Sequence, residues 1–348
     1  MNKELEDFWK DKVVIITGHT GFKGSWLTLF LKHLGAEIHG ISREKKNGIY
    51  EKAKIGEICS SENFLDISNF DTSEIEKIIK SISPDVVFHF AAQSLVIKSY
   101  EDPKDTIYSN INGTYNIMES VNASNCRSLV IATTDKVYKY PEKNNIETSE
   151  LGGKDFYSST KVSAELLIQS YISSAKRSEL SISVVRSGNV IGGGDRSENR
   201  LLTDLVDSLL NSTDFHLRMP KSIRPWQYIL DSLSGYLLIA ERTFINNESE
   251  IYNLNSDLNN SYTTESIAKL MIKNWGTGNK IIIKNEDQYK EVKELVINSG
   301  KAKEKLDWVP KYEMEETIQE IINWEKNYIK AEGPEFSLKQ IKKYIERS

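Results

Sequence analysis

Cysteine is almost absent from this 348-residue chain: Cys59 and Cys126 stand alone, with no CxxC spacing. That excludes a disulfide framework and a cysteine-based zinc site, and two free thiols in a reducing cytosol are expected. Histidine is scarce too. His19, His33, His39, His89 and His216 show neither HExxH nor HxH spacing, so no metal is expected. No apolar run approaches the roughly 18 residues that a membrane span needs. The N-terminal segment MNKELEDFWKDK is polar and carries no apolar stretch of the signal-peptide kind. Basic charge is not in excess either, since the net charge is −5 at pH 7. Nucleic acid is therefore not expected as a partner, because its phosphates need a basic face. A cytoplasmic protein without a membrane anchor is expected. An anionic small substrate stays open, because a few Arg and Lys residues can line a basic pocket on an acidic protein.

What the chain does contain is an ordinary globular mix, 39% hydrophobic and 27% charged, sufficient for a sizeable core. At roughly 150 residues per domain, the length suits two domains or one α/β unit with an appendage. Through the first half, short apolar runs alternate with helical periodicities. Residues 13–16, 38–41, 86–90, 129–133 and 182–186 read as buried strands. Residues 25–34 place Leu27, Phe30, Leu31 and Leu34 at helical spacing, with Gly35 closing the helix. Residues 73–82 place Ile75, Ile78, Ile79 and Ile82 on one helical face, and further helices are expected at 106–123 and 157–175. This order predicts an α/β fold with a Rossmann-type, doubly wound parallel sheet. Beyond Ser187 the pattern loosens: 192–195 reads as a loop, 204–210 as helical, 230–242 as an amphipathic helix and 315–328 as a charged one. Residues 1–186 are expected to form the dinucleotide-binding domain, with a later return of 228–255. Residues 187–348 would be mainly a smaller α/β substrate-binding domain folded onto it.

The segment Thr17-Gly18-His19-Thr20-Gly21-Phe22-Lys23-Gly24 falls between the first strand and the first helix, with GxxGxxG spacing. Glycines permit a tight turn and close backbone approach, and the helix N-terminus offers free N–H groups to a pyrophosphate. Gly18, Thr20, Gly21, Phe22, Lys23 and Gly24 are thus candidate dinucleotide contacts. Lys23 is within reach of phosphate, although a solvated lysine is the simpler reading. After the second strand comes Ser42-Arg43-Glu44. A carboxylate there favours the free ribose of NAD, and an Arg favours the 2′-phosphate of NADP. Glu44 and Arg43 point in opposite directions, so NADP stays open. Asp66-Ile67 follows the third strand, where a carboxylate can meet the adenine amino group.

Tyr157 and Lys161 form a YxxxK at the start of a helix, and the i, i+4 spacing puts both on one face. A cation at Lys161 and an oxidised nicotinamide would lower the phenol pKa and make Tyr157 a usable base. Thr133-Thr134-Asp135-Lys136 ends a strand, at the sheet edge where ligands bind. Elimination of water needs a base for one proton and an acid for the leaving hydroxyl, and adjacent ionisable residues at a strand end can supply both.

Together these motifs make the chain resemble the extended short-chain dehydrogenases/reductases. Asp135-Lys136 after Thr134 resembles the CDP-glucose branch of the nucleotide-sugar 4,6-dehydratases, most of which carry Asp-Glu at this point. The resemblance spans nearly the whole chain, through TGHTGFKGSW, FHFAAQSLV (88–96), SNINGT (109–114), GGKDFY (152–157), RSGNVIGGGD (186–195) and RPWQ (224–227). It implies NAD as cofactor, with Ala91, Ala92, Gln93 and Asn110 joining the glycine loop, Arg43, Asp66, Ile67, Tyr157 and Lys161 in holding it. It implies a nucleotide-sugar substrate held by Gln93, Ser94, Thr134, Asn189, Arg200 and Arg224, a homo-oligomer, and a place in deoxysugar biosynthesis. It also implies a reaction in three steps: C4 oxidation by Tyr157 with Thr134 orienting the hydroxyl, loss of water across C5 and C6, and hydride return to C6. Asp135 is the candidate acid for the departing hydroxyl, and Lys136 the candidate C5 base, a role that needs its amine neutral. Lys136 as an enolate stabiliser, with Asp135 working through water, is the alternative. The chain departs from the pattern at Ser42-Arg43, at Val137 and Phe156 (Cys and Pro expected), at Arg196-Ser197 (Trp expected) and over residues 288–299. Two rivals stand beside this reading. A C4 epimerase or reductase would not need Asp135-Lys136, and a non-catalytic protein on the same fold would typically lack the Tyr or the Lys.

Overall fold

The computed structural model describes residues 3–174, 177–255, 262–284 and 294–347. Seven strands form the central sheet: β1 (Val13–Thr17), β2 (Glu37–Ser42), β3 (Ser61–Phe64), β4 (Val86–His89), β5 (Ser128–Thr134), β6 (Ser181–Ser187) and, returning late, β10 (Ile251–Leu254). Their order is β10-β6-β5-β4-β1-β2-β3, and every pair is parallel. β1, β4, β5 and β6 are buried along nearly their whole length, which is why they read as continuous apolar runs and not as alternating ones. One face is covered by the helices Phe22–His33 and Ile229–Asn246, the other by Ser73–Ile82, Gly113–Asn122 and Phe156–Ser173, each with its own apolar core. The strand order reverses between β1 and β4, so a crevice opens there at the carboxyl ends of the strands.

Beyond β6 the strands come in pairs: β7 (Asn189–Ile191) with β9 (Trp226–Tyr228), and β8 (Phe215–Arg218) with β11 (Ile281–Lys284). A third core gathers Leu205, Phe215, Trp226, Met271 and Ile318 around them. Among the described residues, no helix is long and apolar enough to cross a membrane.

Two expected helices differ from the structure. The single helix expected over 106–123 is interrupted: Pro103–Ile107 and Gly113–Asn122 flank a π-turn at Tyr108–Asn112. Within this turn the Asn110 side chain bonds sideways to Gln93 and Thr160, and such π-turns often mark functional sites. The helix expected to be amphipathic, Ile229–Asn246, has no exposed residue from Ile229 to Ala240. Its outer side is sealed by Trp308 and Tyr344, whose Nε1–H and hydroxyl bond Asp231 and Ser234. Residue 175 of the expected helix 157–175, and residues 288–293 of the divergent stretch, lie outside the described residues.

Candidate active site

The glycine loop turns tightly where β1 ends. Gly18 takes φ +76° and donates its N–H to Ile41 O at 2.7 Å. A Cβ on Gly18 would lie 2.7 Å from Ala91 N, and one on Gly24 would lie 2.2 Å from Gly18 O. Side chains at either position would push the loop off β4 and off its own helix. The helix begins at Phe22, and Gly21 at its N-cap supplies no side-chain acceptor. The first-turn N–H groups are left for a ligand anion, so the cradle fits a dinucleotide pyrophosphate. Thr20 turns towards β2, with its N–H on Ser42 Oγ at 3.3 Å and its hydroxyl on Glu44 O at 2.9 Å.

Lys23 is half-buried. Its amine turns inwards to Ser187 Oγ at 2.7 Å and lies over the Tyr236 ring. Burial, with Arg200 acting in the same direction against Asp135, lowers its pKa to about 7. Sequence reasoning also passed over His19. This ring is fully buried under the loop, between Ser42 Oγ (2.8 Å) and Glu62 Oε1 (2.8 Å), and burial lowers its pKa. A histidine inside the glycine motif, two residues from β1, was the available signal.

At the β2–β3 end of the crevice, Arg43 is held by two carboxylates, Asp105 at 2.9 Å and Asp66 at 3.2 Å, and by Ser109 Oγ at 2.8 Å. Asp66 also accepts from Ser68 N–H and its hydroxyl. Ile67 is buried and its carbonyl accepts from Asn116.

In the centre, Ala91 N–H donates to Thr17 Oγ1, which pairs with His89 Nδ1 at 2.7 Å, and His89 Nε2 meets Thr114 Oγ1 at 3.1 Å. Thr114 donates to Asn110 O, so the assignment consistent along the chain puts the His89 proton on Nε2. Burial drives the His89 pKa down to about 3, with Lys161 adding in the same direction. Asn110 grips Gln93 by both its N–H and its carbonyl, and donates to Thr160 Oγ1. The Gln93 amide itself is spent on Leu95 and Thr106. Gln93 therefore offers the crevice backbone geometry, with its side chain turned away. Ala92 lies half-buried beside it.

The chemistry-bearing groups converge at the end of β5. A capping box of Asp155 and Ser158 starts the helix Phe156–Ser173 and sets Tyr157 in its first turn. The Tyr157 phenol pairs with Thr134, and Thr134 Oγ1 donates to Asp135 Oδ1 at 3.0 Å. Asp135 is buried, and among the described residues its Oδ2 has no hydrogen-bond partner. Lys136 Nζ stands 3.6 Å from Asp135 Oδ1 and is partly exposed. Lys161 Nζ donates to Ala132 O at 3.2 Å, and burial lowers its pKa to about 8 against the pull of Glu165. Burial pushes the Tyr157 phenol up to about 12, with Asp135 raising it further and Arg200 opposing. The lowering expected of Tyr157 calls for the nicotinamide charge as well as Lys161. Lys161 is tied back to the β5 backbone through Ala132 O.

On the far side, Arg200 reaches both Asp195 (3.2 Å) and the Ser94 hydroxyl (3.3 Å). Arg224 is buried just ahead of β9, and Asn189 faces Trp226 in the β7–β9 register, so these two candidates share one corner. Gln227 of the same strand is buried, and among the described residues neither of its amide atoms has a hydrogen-bond partner. It too escaped sequence reasoning, which weighed RPWQ for its arginine alone.

A doubly wound parallel sheet, a glycine cradle at its switch point and a Tyr–Lys helix beside the end of β5 define an extended short-chain dehydrogenase/reductase. Comparison narrows the class. The family model for GDP-mannose 4,6 dehydratase matches residues 15–321, and the chain belongs to that family. It is 34% identical to the CDP-glucose 4,6-dehydratase of Salmonella typhimurium over 340 residues, 94% of each protein. Among solved structures it is similar to the Thermotoga maritima UDP-glucose 4-epimerase with UDP-glucose (TM-score 0.79, 22% identity, 91% of this chain and 99% of that one). It is also similar to the Stenotrophomonas maltophila UDP-glucose-4-epimerase with bound NAD and formylated UDP-arabinopyranose (TM-score 0.78, 18% identity, 91% and 98%). At these identities the structures establish the fold.

Proposed function

We propose that this chain is an NAD-dependent nucleotide-sugar 4,6-dehydratase that converts CDP-glucose to CDP-4-keto-6-deoxyglucose. The observation that carries the reading is the end of β5, where Asp135 presents a buried, unpartnered oxygen next to the Thr134–Tyr157 pair. An epimerase has no use for an acid there. A dehydratase does, because the 6-hydroxyl must leave with a proton.

The glycine cradle, the first-turn N–H groups, Ala91 and Ala92 would hold the dinucleotide, beside Gln93, whose backbone Asn110 fixes. When bound, the nicotinamide supplies the acceptor and later the donor of the hydride. The protein supplies the proton chemistry. Tyr157 Oη takes the proton of the 4-hydroxyl while Thr134 Oγ1 holds that oxygen. Asp135 delivers a proton to the 6-hydroxyl, and Lys136 removes the C5 proton. Arg224 and Arg200, with Asn189, grip the pyrophosphate, for which guanidinium geometry suits. NAD is favoured over NADP because Asp66 and Asp105 already neutralise Arg43 and would oppose a 2′-phosphate. Residues 1–186, with 228–255, form the dinucleotide part, supported by the packing of β10 and Ile229–Asn246 onto β5 and β6. Residues 187–348 form mainly the nucleotide-sugar part, supported by their separate core. A cytoplasmic homo-oligomer fits the exposed Tyr100, Ile107, Tyr115, Phe156, Leu166 and Leu167 on or near neighbouring helices.

The test is incubation with CDP-, dTDP-, GDP- and UDP-sugars, followed by mass spectrometry. Loss of water from CDP-glucose without net cofactor consumption is expected. Dehydration of another nucleotide sugar with CDP-glucose untouched would overturn the nucleotide assignment, and consumption of added cofactor would point to a reductase.

A further inference from the structure

The β7–β9 ribbon lies between two cores. Trp226 and Ile191 belong to the core of the substrate side, and the Trp226 indole N–H donates to Tyr262 O at 3.1 Å. Val190 belongs instead to the core of the dinucleotide side, against which Phe22 of the glycine loop also packs. In the parallel register Gln227 stands beside Val190, and side chains at paired positions share a face. Gln227 is therefore turned away from the Trp226 side and towards the dinucleotide half. The corner that holds Asn189 and Arg224 is next to it: Asn189 precedes Val190 and donates its N–H to Pro225 O at 3.1 Å, and Arg224 stands three residues before Gln227.

Gln227 is 1% exposed, and among the described residues it is the only buried amide side chain with neither polar atom hydrogen-bonded. Such a group is costly, because folding removes its water and returns no partner. A ligand that both donates and accepts would answer it. A pyrophosphate only accepts, so it would meet Nε2–H and leave Oε1 facing an anion. Hydroxyl groups do both. In the proposed reaction the 4-hydroxyl is held by Thr134 and Tyr157, and the 6-hydroxyl by Asp135, which leaves the 2- and 3-hydroxyls. The 2-hydroxyl adjoins the anomeric carbon that carries the phosphate, and the 3-hydroxyl follows it. Both therefore belong near the corner where Arg224 and Asn189 would grip that phosphate. We propose that the Gln227 amide binds the 2- and 3-hydroxyls of the substrate hexose, Oε1 accepting from one and Nε2 donating to the other. It then selects the sugar by the part of the ring that does not react. This deepens the proposed function and rests on its assignment of Tyr157, Asp135 and Arg224.

Gln227→Met keeps the volume and removes both polar atoms. The holoenzymes of variant and parent are compared in kcat/KM for CDP-glucose, in inhibition by CDP, which has no hexose, in retained NAD and in thermal melting. The expected result is a roughly tenfold fall in kcat/KM, the scale of one or two neutral hydrogen bonds, with CDP inhibition and NAD retention unchanged. The melting midpoint without substrate should move up, because an unpaired amide has left the core. Arg224→Ala, by contrast, should weaken CDP-glucose and CDP alike. Parental kcat/KM in a folded Gln227→Met variant overturns the inference and means that buried water answers the amide. Loss of bound NAD overturns it as well and moves the amide to the cofactor. CDP-2-deoxyglucose and CDP-3-deoxyglucose put the same question to the parent without a mutation. Each should lose several-fold in kcat/KM, and values equal to that of CDP-glucose for both overturn the inference even where the variant does not fold. A parent that leaves CDP-glucose undehydrated sinks the underlying function, whereas a parent that dehydrates it no faster than the variant does sinks only the role of Gln227.

Discussion

The two ends of the crevice use the same chemical pair in opposite surroundings. At the β2–β3 end, Arg43 is 45% exposed and meets Asp66 and Asp105 in side chains that are 35% and 24% exposed. At the end of β5 and β6, Arg186 and Glu165 are 1% and 0% exposed. Water and salt screen the first cluster, so it tolerates change. The second has no solvent to replace a lost partner, so every charge there fixes the state of its neighbours. One sheet edge thus carries a permissive end and an unforgiving one, and the proposed chemistry falls at the second.

The largest effect is expected at Tyr157. Tyr157→Phe removes the base from the buried end and should cut turnover roughly a hundred- to ten-thousand-fold, with bound cofactor remaining oxidised after substrate is added. Turnover near the parental rate would break the assignment of chemistry to this end. Lys136→Ala sharpens the division within it. Loss of the proposed C5 base should leave the first oxidation intact and stop solvent deuterium from entering C5. Exchange at the parental rate would transfer that role to Asp135 or a water it holds.

The contrast between the two ends can also be read as stability. Arg186→Met alone strands the Glu165 carboxylate in the core and should cost about 3–5 kcal/mol in denaturant unfolding. A loss below about 1 kcal/mol would show that this pair behaves like the exposed one. The neutral His89 sets a smaller, pH-dependent effect. Its folded pKa, about 3, lies below the ordinary 6.5. Between those values the unfolded chain binds a proton that the folded chain refuses, so its contribution is fully present above pH 6.5 and is lost as pH falls towards 3. Lowering pH from 6.5 to 5.5 should cost at most about 1.4 kcal/mol through this residue. His89→Gln should flatten that slope, and an unchanged slope would place the titration elsewhere.

Much of this layout is written in local pattern. The β-branched runs of β1 and β4, the GxxGxxG between a strand and a helix, and the i, i+4 Tyr157–Lys161 pair each report a short-range constraint, so residue spacing suffices to find them. What escaped depends on partners distant in sequence. Lys23 turns inwards because Ser187 lies across the sheet edge. Gln93 turns away because Thr106 and Leu95 claim its amide. The π-turn forms where Asn110 bonds Gln93 and Thr160, and no periodicity announces it. Glu165 and Arg186 left one usable trace: each is a charged residue set among apolar neighbours, one on an expected helix and one at the end of an expected strand.

The smallest effect is expected at Arg43, and it closes the comparison from the permissive end. An exposed ion pair is worth about 0–1 kcal/mol, so Arg43→Ala should leave the melting midpoint nearly unchanged. Its effect on the cofactor is more telling. With Asp66 at 3.2 Å and Asp105 at 2.9 Å, the guanidinium charge is already answered, and a 2′-phosphate would bring further negative charge to the same place. Denaturing the purified protein should therefore release NAD, and Arg43→Ala should change NAD retention by less than about tenfold, the factor that corresponds to 1.4 kcal/mol. Release of NADP alone would mean that the arginine leaves its two carboxylates when the ligand arrives. In that case Arg43→Ala should weaken NADP by roughly 1.5–3 kcal/mol, the value of a hydrogen bond to a charged group. The β2–β3 end would then be as exacting as the end of β5 and β6, and the contrast between them would rest on burial alone.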